Sequence, residues 1–231
     1  MAISTQSNNT ALDVPFTKFA AVLCDLDGVL IDSEPLHEQA LARACEVYGI
    51  PLQLSECEEF KGVREEQVAA RILARHERTE ITVADFVACK SRYYVSMFDE
   101  ITVMAGAVAF LQGCQKRGWR LGLTTSALHQ HAMSIMQRLE LASYFTTIVT
   151  SRDVVNGKPH PEPYIKTAQL LEIEPQSCLV IEDSVLGVRS GKAAGCCVAG
   201  LISTFAREDL QTAGADVIVS SFAELTRITA G

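Results

Sequence analysis

Short, largely apolar runs punctuate this chain, and most of them stop abruptly at polar or acidic residues. They are Phe19–Cys24, Arg120–Thr124, Phe145–Thr150, Cys178–Ile181, Cys196–Gly200 and Val217–Val219. Runs without polar alternation suit strands buried on both faces, which is how parallel sheets read. Helical patterns separate them, over Ala107–Gly118, Leu128–Leu139, Glu162–Leu171, Val185–Ala194 and Arg207–Ala213. This alternation predicts an α/β fold with a doubly wound, Rossmann-like parallel sheet. The stretch 33–98 breaks the rhythm: it carries helix-like segments at Glu34–Tyr48, Ser55–Phe60, Arg64–His76 and Val83–Phe98, and no convincing strand. The expected organisation is a flexible tail over 1–18, a core built from 19–32 and 99–231, and an all-helical cap domain inserted over 33–98.

Ligands of open parallel sheets bind beyond the carboxyl ends of the strands. That rule turns the strand list into a map of candidate chemistry. After the first run comes Asp25-Leu26-Asp27-Gly28; after the second, Thr125-Ser126; beyond the third, Lys158; after the fourth, Glu182-Asp183-Ser184. Two aspartates two residues apart in extended backbone share a face. This gives Asp25 the role of nucleophile and metal ligand, and Asp27 that of general acid and base. Gly28 allows a sharp turn close to a ligand. Thr125 and Ser126 offer a hydroxyl and backbone N–H groups at a helix start, suited to phosphate oxygens, although an ordinary helix cap reads the same way. Lys158 is fixed in the proline-rich turn Gly157-Lys-Pro-His-Pro-Glu-Pro163, where an ammonium can neutralise a phosphate and a carboxylate together. Asp183 and Glu182 facing Asp25 make a cluster of negative charge that calls for a cation, and hard oxygen donors suit Mg²⁺.

Composition narrows the field. Lys+Arg number 20 against 28 Asp+Glu, a formal charge of −8, and no basic run suggests a nucleic-acid or anionic-membrane surface. The eight cysteines have no C-x-x-C pair and sit mostly in apolar or helical patterns, so they read as buried, reduced thiols of a reducing compartment. The polar start has no apolar signal region, and no stretch approaches the ~18 apolar residues of a membrane span. The expectation is a soluble, cytoplasmic protein, with a monomer as the default. Gly187–Ala193 superficially looks like a phosphate loop, but its spacing is one residue short and the terminal hydroxyl is missing, so it reads as a helix. No Cys/His spacing suggests zinc.

Taken together, Asp25-Leu-Asp27-Gly28-Val-Leu30, Thr125, Lys158 in its Lys-Pro-x-Pro-Glu-Pro setting, and Glu182-Asp183-Ser184 resemble the four motifs of the haloacid dehalogenase superfamily, in order and spacing. The resemblance covers residues 19–225. The helical insert is similar to the cap of the subgroup holding β-phosphoglucomutase and phosphoglycolate phosphatase. The resemblance implies that Asp25 forms an aspartyl-phosphate. Asp27 would protonate the leaving group and then activate water, lending its carbonyl to Mg²⁺. It implies further that Thr125 and Lys158 hold the transferring phosphoryl group, and that Asp183, assisted by Glu182, completes the metal site. Superfamily members that act on halides or phosphonates lack an acid two residues after the nucleophile, so Asp27 points to phosphate esters.

The expected partner is therefore a small phosphorylated metabolite, a sugar phosphate or a phosphoglycolate-like compound, and the expected activity is a phosphatase. Two alternatives stay open: a β-phosphoglucomutase-like hexose-phosphate mutase, and a catalytically silent binding protein on the same fold. His37, twelve residues after Asp25, and Lys90 fall where the mutases carry functional residues. Lys61-Gly62-Val63-Arg64 is similar to their cap segment, but Arg64 follows Gly62 by two positions where the mutase pattern has three. His37, Arg64 and Lys90 are thus candidate substrate contacts, with solvated helix positions as the ordinary reading of each.

Overall fold

The apolar run at the head of the chain forms β1 (Ala21–Cys24), in which every residue is buried. In this computed structural model, which describes residues 19–229, β1 occupies the middle of a six-stranded sheet. The expected tail over 1–18 lies outside the described residues. The sheet order is β5-β4-β1-β6-β7-β8, with β4 at Arg120–Thr124, β5 at Thr147–Val149, β6 at Cys178–Glu182, β7 at Cys197–Leu201 and β8 at Val217–Val219. All its pairings are parallel.

Strand geometry explains the unbroken apolar runs. Val22 and Cys24 point into one core layer, while Ala21 and Leu23 point into the other. Successive side chains alternate faces, so a strand covered on both sides must be apolar at every position. One layer is closed by helices α5 (Ala107–Lys116), α6 (His129–Arg138) and α10 (Phe222–Thr229), the other by α7 (Glu162–Leu170), α8 (Val185–Ala193) and α9 (Arg207–Ala213).

The stretch after β1 is helical, with α1 (Glu34–Val47), α2 (Leu54–Glu59), α3 (Glu65–Arg75) and α4 (Val83–Ser96). These helices bury a core of their own around Leu41, Phe60, Ile72 and Phe86. They are flanked by β2 (Ile31–Asp32) and β3 (Thr102–Val103), which pair antiparallel, so both connections to the sheet leave side by side.

Several boundaries differ from the sequence reading. The third run shortens to Thr147–Val149 because Ala142–Tyr144 forms a 3-10 turn that Phe145 caps. The fifth starts at Cys197 because the Cys196 N–H is spent on the Gly191 carbonyl, closing α8. The two-residue strands β2 and β3 are too short to leave a periodic signal, and α10 went unassigned although Phe222 and Leu225 form its buried face. Seven of the eight cysteines are buried and Cys197 is partly so. Among the described residues, no helix is long and apolar enough to cross a membrane.

Candidate active site

Strand register sets the site. Cys24 of β1 pairs with Leu123 of β4 on one side and with Ile181 of β6 on the other. The next residue of each strand, Asp25, Thr124 and Glu182, therefore arrives level at the carboxyl edge, where the strand order reverses about β1. The Asp25 N–H continues the ladder to the Ile181 carbonyl at 3.1 Å, and the Thr125 N–H to Val149 at 2.9 Å. Both functional side chains thus stand on fixed backbone.

Lys158 reaches this edge from the turn ahead of α7. Its Nζ donates to Asp25 Oδ1 at 2.7 Å and to Glu182 Oε1 at 2.6 Å, with only 2% of the side chain exposed. Burial works against the ammonium, but the two carboxylates outweigh it and hold the pKa above the ordinary lysine value. Glu182 is saturated: Oε1 also accepts from the Tyr164 hydroxyl at 2.6 Å, and Oε2 from the N–H groups of Asp183 and Ser184 and the Ser184 hydroxyl. Ser184 in turn caps α8, accepting from the Gly187 N–H at 3.0 Å.

Asp25, Glu182 and Asp183 can bring one carboxylate oxygen each within 4.8 Å of one another, and all three are buried. Burial first, then Glu182 and Asp27, push the Asp25 carboxyl up to about 8, against the opposing pull of Lys158. Asp183 is raised well above the usual carboxylate range by burial and by Glu182 and Asp25. A cluster that resists ionisation to this degree is one a divalent cation would relieve, and its donors are the hard oxygens such a cation takes. Since the Glu182 oxygens are already engaged, Asp25 and Asp183 are the side chains with room to coordinate.

Gly28 makes that approach possible. Its φ is +71°, and a Cβ there would lie 2.0 Å from Asp183 Oδ2 and 2.6 Å from Thr204 Oγ1. Thr204, in the loop after β7, also lines the pocket.

The Asp27 carboxylate turns away from the acidic cluster. Its Oδ1 accepts from the Ser33 hydroxyl at 2.6 Å and lies 3.2 Å from His37 Nε2. Burial opposes ionisation of Asp27, yet the His37 and Ser33 interactions outweigh it and lower the pKa. His37 stacks on Tyr94 with ring centroids 4.0 Å apart. Its Nδ1 lies 3.3 Å from Lys90 Nζ, which donates to both oxygens of Glu65 at 2.6 and 2.7 Å. With Lys90 donating to Nδ1, the imidazole carries its proton on Nε2 and gives that hydrogen bond to Asp27.

Asp25, Asp27, Thr125, Ser126, Lys158 and Asp183 line one pocket, and His37 and Lys90 line its opposite wall with Glu34 and Glu65. Its cavity volume is about 80 Å³, smaller than a groove of about 680 Å³ beside α1 and α2 that contains neither Asp25 nor Asp183. Chemistry, not size, identifies the site. Of the three candidates on the helical stretch, Arg64 is the one that does not line the pocket: its guanidinium donates to the carbonyls of Val154 and Val155 at 3.1 and 3.2 Å, pinning α3 to the loop before Lys158. The sequence reading also missed residues. Thr204 follows a recognised strand run and could have been found by the strand-end rule. Ser33, Glu65 and Tyr164 look like helix-start or core positions and gave no signal.

Known proteins resemble this chain along most of its length. The profile of a family described as "Haloacid dehalogenase-like hydrolase" matches residues 22–201. A phosphorylated carbohydrates phosphatase of Thermotoga maritima is 32% identical over 179 residues, 76% of this chain and 81% of that protein. A validoxylamine A 7'-phosphate phosphatase of Streptomyces hygroscopicus subsp. limoneus is 30% identical over 90% of this chain and 96% of its own. Among solved structures, a β-phosphoglucomutase from Clostridium difficile superposes with a TM-score of 0.81 at 25% identity, covering 92% of this chain and 97% of that one.

Proposed function

The chain belongs to the haloacid dehalogenase-like hydrolases, and from that membership we propose that it is a Mg²⁺-dependent phosphatase of small sugar phosphates that works through an aspartyl-phosphate on Asp25. The observation that carries the reading is the buried contact of the Lys158 ammonium with Asp25 Oδ1 at 2.7 Å, beside the Asp183 carboxyl, whose ionisation burial, Glu182 and Asp25 oppose. An ammonium in that place favours the ionised form of Asp25 against the burial and neighbouring carboxylates that oppose it, and draws the phosphoryl oxygens towards the same carboxylate. Asp25 and Asp183 would hold the cation, with a contribution from the Asp27 carbonyl, and Glu182 fixes Lys158 rather than the metal. When bound, the cation supplies charge neutralisation for the transferring phosphoryl group.

The steps then follow from the side chains. An Asp25 oxygen attacks phosphorus in line as the ester P–O bond breaks, and the departing alkoxide takes a proton from Asp27. Asp27 is held ionised by Ser33 and His37 in the arrangement seen here, so it takes up a proton from solvent before it acts as the acid, and its hydrogen bond from His37 Nε2 orients the carboxyl. Water then attacks the aspartyl-phosphate, Asp27 accepts its proton, and inorganic phosphate leaves with the Asp25 carboxylate restored. Thr125 and Ser126 orient phosphoryl oxygens from the end of β4. The α1–α4 unit acts as a cap that excludes bulk water while the intermediate exists. The engagement of Arg64 with main-chain carbonyls, away from the pocket, favours hydrolysis over a mutase, which must also grip the far phosphate of a bisphosphate intermediate.

The test is phosphate release from a panel of sugar phosphates, with Mg²⁺ or with a chelator. Activity should require the cation, and Asp25→Asn should lower kcat by about three orders of magnitude or more. A variant keeping over about a tenth of the wild-type rate would exclude Asp25 as nucleophile.

A further inference from the structure

The pocket has two unlike ends. At the sheet edge lie Asp25, Asp183, Thr125 and Lys158, the groups that face the phosphoryl group in the reading above. The opposite wall comes from α1, α3, α4 and the turn between α2 and α3, and it is where the rest of the substrate must lie. Its ammonium groups are Lys61 and Lys90. Each sits against a carboxylate of the same wall: Lys90 is gripped by both oxygens of Glu65 at 2.6 and 2.7 Å, and Lys61 lies 3.5 Å from Glu38. Glu34 adds a further carboxyl to this wall. A second anionic group on a substrate would therefore meet cations already matched by carboxylates, and at Lys90 and Glu65 it would do so in a place shielded from water. Hydroxyl groups fare differently, because carboxylate oxygens accept from them and the ammonium donates to them without a change in charge balance.

Resting on the phosphatase reading, we infer that this pocket selects monophosphates whose leaving group is an uncharged polyol, and that Glu65, through its bidentate hold on Lys90, is the residue that sets this preference. Glu65 is built for the task. It stands in the first turn of α3 with its side chain 12% exposed, and Lys90 approaches from α4 with its own 8% exposed. The pair spans two helices of the same unit, so the match is kept wherever that unit moves relative to the sheet. Glu65 acts on selectivity by neutralising Lys90; it has no part in the bond-making steps.

The experiment compares kcat/KM for sorbitol 6-phosphate, a neutral polyol monophosphate, with that for fructose 1,6-bisphosphate and for phosphoglycolate. The wild type should favour the polyol ester by about tenfold or more. Glu65→Gln keeps the shape and one hydrogen bond but uncovers the Lys90 charge, so the preference should fall about tenfold, mainly through KM of the doubly anionic esters. Lys90→Met should move the ratio the other way. An unchanged ratio in Glu65→Gln, or a wild type that favours the bisphosphate, would overturn the inference; a loss of fold would appear instead as a lowered Tm with all substrates affected alike. Dissociation constants of the same ligands measured by calorimetry in an Asp25→Asn background, with and without Glu65→Gln, read recognition without turnover. Absence of hydrolysis on every ester thus refutes the phosphatase reading alone, while a Kd ratio indifferent to residue 65 refutes this one.

Discussion

Gly28 offers the sharpest quantitative test of how the site is assembled. A Cβ at residue 28 would sit 2.0 Å from Asp183 Oδ2, and real Cβ contacts essentially never fall under 3.0 Å, so the carboxylate must retreat by about 1 Å. The backbone also has φ +71°, where a non-glycine residue costs about 1–2 kcal/mol. Gly28→Ala should therefore combine a modest stability loss with displacement of the Asp183 carboxylate, the proposed metal ligand. A misplacement of ~1 Å at a reacting centre costs on the order of 100-fold in rate. Gly118→Ala is the matched control, because its φ is +74° but nothing lies within 4 Å of the added carbon. Both variants should lose about 1–2 kcal/mol in chemical denaturation. Gly28→Ala alone should lower kcat/KM about 100-fold and weaken Mg²⁺, read as the shift in Tm against cation concentration. If Gly28→Ala stays within about threefold of Gly118→Ala in both activity and Mg²⁺ response, the placement of Asp183 against Gly28 has no catalytic meaning.

Two further outcomes follow from the buried charges. In the metal-free protein Asp25 titrates near 8, and Asp183 too is raised, against an ordinary carboxylate value of 3.8. The folded state thus holds protons that the unfolded chain has released, so the stability present below about pH 4 is lost as pH rises towards 8. A cation needs those carboxylates ionised, so the gain in Tm from saturating Mg²⁺ over chelator should be larger at about pH 8 than at about pH 5; a gain that is flat or shrinks refutes the site. Tyr164→Phe removes one of the hydrogen bonds to Glu182 Oε1, the oxygen that also faces the Lys158 ammonium. It should cost about 1.5–3 kcal/mol in denaturant unfolding while kcat stays within about tenfold of wild type, and an unchanged midpoint would show that Glu182 does not depend on it.

The backbone plan of this protein was legible because each signal was local. Runs such as Val22–Cys24 and Leu179–Ile181 are apolar at every position since both faces of the strand are covered, and that alone marks a parallel sheet. The break in that rhythm after Ser33 marked the helical stretch that α1–α4 occupy. The strand-end rule then pointed to the edge at which Asp25, Lys158, Glu182 and Asp183 meet. The two-residue hairpin of β2 and β3 escaped because two residues carry no period, and its pairing is fixed by contact across 70 residues of chain.

What only the folded molecule decides is how each charge is spent. Sequence spacing could not say that the Glu182 oxygens are used up by Lys158, Tyr164 and the start of α8, leaving Asp183 as the open carboxylate beside Asp25. Nor could it say that Arg64 grips the carbonyls of Val154 and Val155 while Lys90 is closed by Glu65. Apolar burial is read from composition and period because it is non-directional and nearly additive. Hydrogen bonds and ion pairs depend on the last ångström of distance between residues far apart in the chain, and only the tertiary fold sets that distance.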